Sequence, residues 1–105
     1  MSKLKGLART LAQTARAGGI ARRPLRGGLH LTLRHDAGEW SLSLTRYGTH
    51  ASDTERKICR EAFGVPEGAG CEIFYANGYG VTRYSWGRAE QLGLGLAVPE
   101  AVRYE

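Results

Sequence analysis

Two stretches of the chain alternate strictly between apolar and polar residues. In residues 29–35 a leucine occupies the first, third and fifth positions, and in residues 39–47 a tryptophan and two leucines alternate with polar residues. A period of two is typical of a β-strand with one buried face. Only a short turn, from Asp36 to Glu39, separates the two stretches. They therefore predict an antiparallel hairpin.

The length of this turn determines which side chains share a face. A loop of two or four residues places Leu33 opposite Leu42. The same register places Leu31 opposite Leu44, so that the leucines lie on one face. An odd-numbered loop without a bulge would place leucine opposite serine. We therefore expect an even-numbered loop.

An Asn77-Gly78 pair joins two further strand-like stretches. Both residues accept positive φ angles, as the type I′ turn of a two-residue hairpin requires. The turn predicts the opposed pairs Ala76–Tyr79, Phe74–Val81 and Glu72–Arg83, of which the last joins opposite charges. The other face carries a second set of residues, namely Cys71, Ile73, Tyr75, Gly80, Thr82, Tyr84 and Trp86. Because both faces hold apolar groups, we expect this hairpin inside a sheet or at a contact between chains.

A helix is predicted between the two hairpins, over residues 53–63. Ser52 followed by Glu55 matches the capping-box pattern. Gly64 suits a left-handed C-terminal cap, and Pro66 prevents continuation of the helix. Four residues at helical spacing form an apolar face: Ile58, Cys59, Ala62 and Phe63.

The first 28 residues differ in character from the rest. In residues 1–17 leucine and alanine recur at helical spacing, which predicts a helix that is marginal on its own. Residues 18–28, with the sequence GGIARRPLRGG, predict a flexible basic linker. We therefore expect a basic N-terminal tail and linker over residues 1–28, and a small α+β domain over residues 29–105.

Together these elements predict an α+β fold in the order ββαββ. The two hairpins form an antiparallel sheet, and the helix over residues 53–63 packs on it. We expect the leucine surface of the first hairpin to meet Ile58, Ala62 and Phe63. Further along, the sequence predicts a short helical turn near residues 89–92 and an edge strand or covering segment over residues 94–98.

The formal charge of +5 is unevenly distributed. Residues 1–28 hold seven basic residues and no acid, whereas residues 29–105 hold eight basic and ten acidic residues. The seven are the candidate nucleic-acid-binding residues: Lys3, Lys5, Arg9, Arg16, Arg22, Arg23 and Arg26. Such a segment can neutralise phosphates. It can also be an amphipathic helix on an anionic membrane, a targeting sequence, or a solubilising or partner-docking terminus.

Composition narrows the class of protein. No apolar run approaches the ~20 residues that span a bilayer, so we expect no membrane partner. Two cysteines are too few for a disulfide scaffold, and free thiols in a reducing cytoplasm are the default expectation. We expect a cytoplasmic protein that carries no cofactor.

A catalytic or metal site has little support in the sequence. Cys59 or Cys71 with His35 or His50 could form a nucleophilic pair or a zinc site, but their spacing matches no established pattern. The carboxylates are better explained by helix capping and cross-strand pairing than by acid–base chemistry. We therefore assign no catalytic residue and no metal ligand.

Three aromatic residues of the second hairpin, Tyr75, Tyr84 and Trp86, lie on one predicted face, with Arg88 just beyond. They suit three roles: core packing, a protein interface, or base stacking. The leading hypothesis is a non-catalytic interaction or adaptor module with a protein partner or a second copy, whose basic arm contacts nucleic acid or an acidic partner. The alternative is a nucleic-acid-binding protein that uses this arm directly, and the third hypothesis is a small thiol- or histidine-dependent enzyme.

Overall fold

The computed structural model describes the backbone of residues 2–87 and the side chains of Leu4 and residues 6–87. In chain order the elements are α1 (Ser2–Gly18), β1 (Ile20–Pro24), a short 3-10 turn (Arg26–Gly28), β2 (His30–Asp36), β3 (Glu39–Tyr47), α2 (Asp53–Phe63), β4 (Gly70–Ala76) and β5 (Tyr79–Trp86). The strands form one antiparallel sheet in the order β1-β2-β3-β5-β4. With α2 packed on this sheet, the predicted α+β fold is confirmed.

Both hairpins have the predicted register. A two-residue loop, Ala37-Gly38, joins β2 to β3, and leucine faces leucine across this hairpin. Asn77-Gly78 joins β4 to β5, and Glu72 faces Arg83. The first residue of each loop has a φ of 52° and the glycine that follows is also positive, as a type I′ turn requires.

The ends of α2 are formed as the sequence predicts. The Ser52 hydroxyl accepts from the amide of Glu55 at 3.2 Å, and the Glu55 carboxylate accepts from the amide of Ser52 at 2.7 Å. Gly64 ends the helix in the left-handed conformation, with a φ of 64°. Both local patterns therefore fix the boundaries of this helix.

The predicted apolar side of α2 meets the core, except that Ile58 lies at its margin. Cys59 and Phe63, one helical turn apart, are buried, and Ala62 packs against the core. Ile58, however, is 49% exposed. It lines an open groove of about 1030 Å³ between α1, α2 and the segment from Arg23 to Leu29. Ile58 therefore lies at the margin of the leucine surface, in the same groove as Leu29, and is not buried in it.

The flexible linker expected over residues 18–28 is also wrong. Residues 20–24 form β1, which pairs antiparallel with β2. Gly19 makes the reversal from α1 possible with a φ of 89°, and its carbonyl accepts from the amide of His35 at 3.0 Å. Only Ala21 is buried in this strand, and therefore the segment lacks the apolar alternation by which a strand is recognised.

Helix α1 belongs to the core. Its buried residues are Ala8, Leu11, Ala12 and Ala15. They join one hydrophobic cluster with the leucines of β2 and β3. The small alanine side chains let the helix approach the sheet closely, so a narrow row of apolar residues along α1 is sufficient for this contact. Residues 2–28 are therefore part of the folded structure rather than an appended tail.

The sheet has one covered and one open face. The inner face, which meets α1 and α2, carries the buried leucines of β2 and β3 with Trp40, Thr82, Tyr84 and Trp86. The outer face is covered by no element of the described range. The turn and strand expected near residues 89–98 lie outside the described residues, as does Arg88. Neither described helix is long and apolar enough to cross a membrane.

Candidate interaction site at the β4 edge

The two edges of the sheet differ in how well they are protected. Edge strand β1 has five residues, of which Pro24 lacks a backbone donor and Arg22 and Arg23 are charged. Edge strand β4 has seven residues, no proline and a single charge, at Glu72. Charge, proline and short length are the usual devices that prevent an edge from pairing with another chain. Of these three devices, β4 has only charge, and only at one residue.

The hairpin register identifies the free backbone groups of β4. Ala76 and Tyr79 close a two-residue turn, so they form a hydrogen-bonded pair, and such pairs alternate along the ladder. The amides and carbonyls of Cys71, Ile73 and Tyr75 therefore point away from β5. No hydrogen bond from the loops or side chains of residues 2–87 reaches these backbone groups. We call this side of the strand, with these three residues, the β4 edge.

The side chains of the β4 edge are exposed as well. They lie on the inner face of the sheet, yet Ile73 is 51% and Tyr75 57% exposed. On the neighbouring strand, Thr82 and Tyr84 on the same face are 0% and 6% exposed. The cover provided by the helices thus stops between β5 and β4. Within residues 2–87 the same three residues therefore combine outward backbone groups without a partner and side chains that the helices leave exposed.

Fixed contacts hold the turn end of β4 in place. The ring of His50 packs on that of Tyr75 with 4.3 Å between centroids, and His50 Nε2 lies 3.3 Å from the Phe74 carbonyl oxygen. This histidine belongs to the connection between β3 and α2, which crosses closely over Gly80. On the outer face, Arg83 donates to the Glu72 carboxylate at 2.6 Å and 3.0 Å. The edge is therefore ordered before any partner arrives.

The three residues predicted as a protein interface are not equally available. Tyr84 and Trp86 are core residues, so their predicted role at an interface is wrong. The Arg60 guanidinium lies 5.6 Å from the centroid of the Tyr84 ring, and Trp86 stacks on Trp40. Burial of both rings also excludes them from base stacking. Tyr75 alone of the three is exposed, because β4 lies beyond the reach of the helices.

The basic side chains of the N-terminal segment that the structure describes are divided among α1, β1 and the 3-10 turn, with Arg23 and Arg26 lining the groove beside α1. Arg9 and Arg16 are exposed on α1, and the Arg16 guanidinium lies 5.7 Å from the centroid of Trp40. Arg22 and Arg23 are successive strand residues and point to opposite faces of the sheet. Arg26 lies in the 3-10 turn. The side chains of Lys3 and Lys5 are outside the described set.

The outer face of the sheet carries balanced charge. Its ionised side chains are Arg22, Arg34, Arg83, Asp36, Glu39 and Glu72. The three arginines and three carboxylates cancel formally. A surface that binds the phosphate backbone of a nucleic acid requires an excess of positive charge. The open face does not meet this requirement.

The thiols and imidazoles lie apart in the structure. Burial raises the pKa of Cys59 to about 11, and the charge of Glu55 adds to this effect. Cys71 is exposed, and burial is the main cause that raises the pKa of Tyr84, the residue opposite it on β5. Burial is the main cause that lowers the pKa of His35, whose ring packs on Trp40. Among the described residues no hydrogen bond joins a cysteine to a histidine, and no group of three potential ligands is placed to hold a metal.

No protein-family model matches the chain, and no curated protein or solved structure shows significant similarity to it.

Proposed function

We propose that this protein is a non-catalytic interaction module that binds an extended segment of a partner along the β4 edge. The observation that carries this proposal is the coincidence of free backbone groups and exposed apolar side chains at Cys71, Ile73 and Tyr75. Addition of a strand to an open sheet edge is an established mode of peptide recognition. It needs no catalytic group, metal or cofactor.

The edge supplies both affinity and selectivity. Each of its three residues offers one amide donor and one carbonyl acceptor, and each new ladder bond contributes about 0.5–1.5 kcal/mol net. Ile73 and Tyr75 add apolar contact with alternate side chains of the added strand, at roughly 25 cal/mol per Å² of apolar surface buried. The contacts of His50 and Arg83 already order β4, and therefore little conformational entropy is lost on binding.

Selection of displayed random decapeptides against the full-length protein tests this proposal. We expect the selected peptides to alternate between apolar and polar residues. Ile73→Pro removes one outward amide and leaves the bonds to β5 in place, so we expect it to weaken peptide binding at least tenfold. Tyr79→Ala is the matched control, since Tyr79 is a 42% exposed aromatic on the outer face of the same hairpin. Peptides that bind Ile73→Pro as tightly as the native protein would refute the proposal.

A second candidate function is contact with nucleic acid through α1, which contains no acidic residue. Arg9 and Arg16 are seven residues apart and therefore lie on the same side of this helix. Because α1 supplies core residues, truncation would unfold the protein, and charge neutralisation is the appropriate test. We expect binding of single- and double-stranded DNA to weaken steeply with salt, and the double substitution Arg9→Gln/Arg16→Gln to reduce the salt slope by about two. A native protein that does not bind at low salt would exclude this candidate.

A further inference from the structure

Strand β4 itself has the backbone groups and side chains expected of a strand that pairs with the β4 edge. We propose that the β4 edge pairs with the β4 edge of a second copy, antiparallel and about a two-fold axis at Ile73. This inference rests on the proposed function, because it names the occupant of the same edge. The product is a continuous ten-stranded sheet with the helices of both copies on one side.

The positions of the free backbone groups limit the possible registers. Outward amides and carbonyls occur at Cys71, Ile73 and Tyr75, so an axis through one of these residues passes through a hydrogen-bonded pair. An axis at Ile73 pairs the whole of Gly70–Ala76 with itself. An axis nearer either end leaves part of the strand unpaired. The register at Ile73 therefore forms the most backbone bonds.

Charge favours the same register. Glu72 is the one ionised residue of β4. An axis at Glu72 would place this carboxylate opposite its own copy, at the ~4.5 Å Cα separation of a non-hydrogen-bonded pair, which is destabilising. The axis at Ile73 instead places Glu72 opposite Phe74 of the second copy. Its carboxylate then keeps its hydrogen bonds from Arg83.

The side chains are self-complementary about this axis. On the inner face Ile73 meets its own copy, and the small Cys71 lies opposite the large ring of Tyr75. All three side chains are exposed in one chain and form one apolar stripe in the pair. Since the helices leave β4 bare, the inner surface is open for this stripe to form.

The asymmetry of the two edges limits the assembly to two chains. Edge β1 is short and carries Pro24, Arg22 and Arg23, so it does not offer a second comparable surface. Pairing of one edge with itself is isologous and closes after two copies. A sheet with two open edges would continue to grow into a fibre.

A disulfide experiment on the full-length chain tests both the pairing and its register. In a Cys71→Ser background, Ile73→Cys places two thiols on a pair with ~5.5 Å between Cα atoms, within the range for a disulfide. Glu72→Cys is the matched control, because its two copies are offset by two residues, which puts their Cα atoms roughly 8 Å apart and beyond reach. We expect a covalent dimer of twice the 11.4 kDa chain mass for Ile73→Cys only. Sedimentation should show a native dimer that Ile73→Pro converts to monomer.

Each other outcome contradicts the inference. A dimer that persists in Ile73→Pro uses another surface, and a crosslink through Glu72→Cys alone shows another register. The native protein could stay monomeric up to ~100 μM and still bind selected peptides that Ile73→Pro no longer binds. This result would refute pairing with a second copy and leave the proposed function intact. A monomer that binds no peptide refutes both.

Discussion

Substitution of Gly80 tests the closest approach between the sheet and the connection that crosses it. A Cβ atom on Gly80 would lie 2.3 Å from the carbonyl oxygen of Thr49 and 2.7 Å from the amide nitrogen of His50. Ordinary carbon contacts begin near ~3.5 Å, so the connection must move by about 1 Å to admit a methyl group. Both neighbouring atoms belong to the backbone, and no side-chain rotation can relieve the overlap.

The expected cost follows from this overlap. Overpacking typically costs about 1–3 kcal/mol, and here the strain falls on the connection that also holds the N-cap of α2. We expect Gly80→Ala to lower the free energy of unfolding by about 3 kcal/mol. For a domain of this size that corresponds to a decrease of roughly 12–24 °C in Tm. Urea denaturation followed by circular dichroism measures the effect.

Gly70 provides a matched control in the same hairpin. A Cβ there would meet only the Ser85 carbonyl oxygen at 3.8 Å, which is an ordinary contact. Alanine also loses less conformational entropy than glycine on folding, so Gly70→Ala should be neutral or stabilising by up to ~1 kcal/mol. If the two substitutions changed stability by the same amount, the close approach at Gly80 would not be the cause, and the reasoning would fail.

Three further predictions concern single buried or ionised groups. Thr82 is fully buried and its hydroxyl has no hydrogen-bond partner among the described residues. Thr82→Val should therefore raise the free energy of unfolding, measured by urea denaturation, by about 1 kcal/mol. A decrease in this free energy would show that the hydroxyl has a partner. Hydrogen bonds from Arg46 and, second, from the Ser52 amide hold the pKa of Glu55 below its usual value. The ionised Glu55 therefore stabilises the fold fully above the ordinary carboxyl pKa, and this stabilisation is lost as the pH falls through the lowered pKa. Glu55→Gln should therefore flatten the acid limb of the stability–pH profile, and an unchanged limb would contradict this. With burial raising its pKa to about 11, Cys59 should resist a thiol reagent in the folded protein while Cys71 reacts, and both should react in denaturant.

Local patterns in the sequence predict a large part of this fold. The Asn77-Gly78 turn, the parity of the first hairpin and the capping box at Ser52 each involve residues close in the chain, and each has the expected geometry in the structure. The physical cause in every case is short-range: an allowed φ, an alternation of side chains, or an orphan amide that needs an acceptor. Such features depend little on the rest of the molecule.

The candidate site depended on tertiary packing and was predicted only in part. Alternation correctly places Tyr75, Tyr84 and Trp86 on one face of the sheet. The helices cover Tyr84 and Trp86 but do not extend over Tyr75, and the sequence does not show where this cover ends. Strand β1 is not predicted by the sequence, because a single buried side chain, Ala21, does not produce an alternation of apolar and polar residues. The position of Ile58 in the groove likewise depends on how α2 packs beside other elements, which residues 53–63 alone do not show.

The position of β5 between β3 and β4 has a consequence for biosynthesis. The ribosome releases β4 before β5, although β5 is the strand that must lie beside β3. Until β5 is complete, the nascent chain exposes the open side of β3 together with an unpaired β4, and these two strands can join in a non-native sheet. The Asn77-Gly78 turn acts against this product once β5 has been synthesised, because a two-residue loop costs less conformational entropy to close than the longer connection from β3 to β4. The same turn that sets a register in the finished protein thus also favours pairing of β4 with β5 over pairing of β4 with β3.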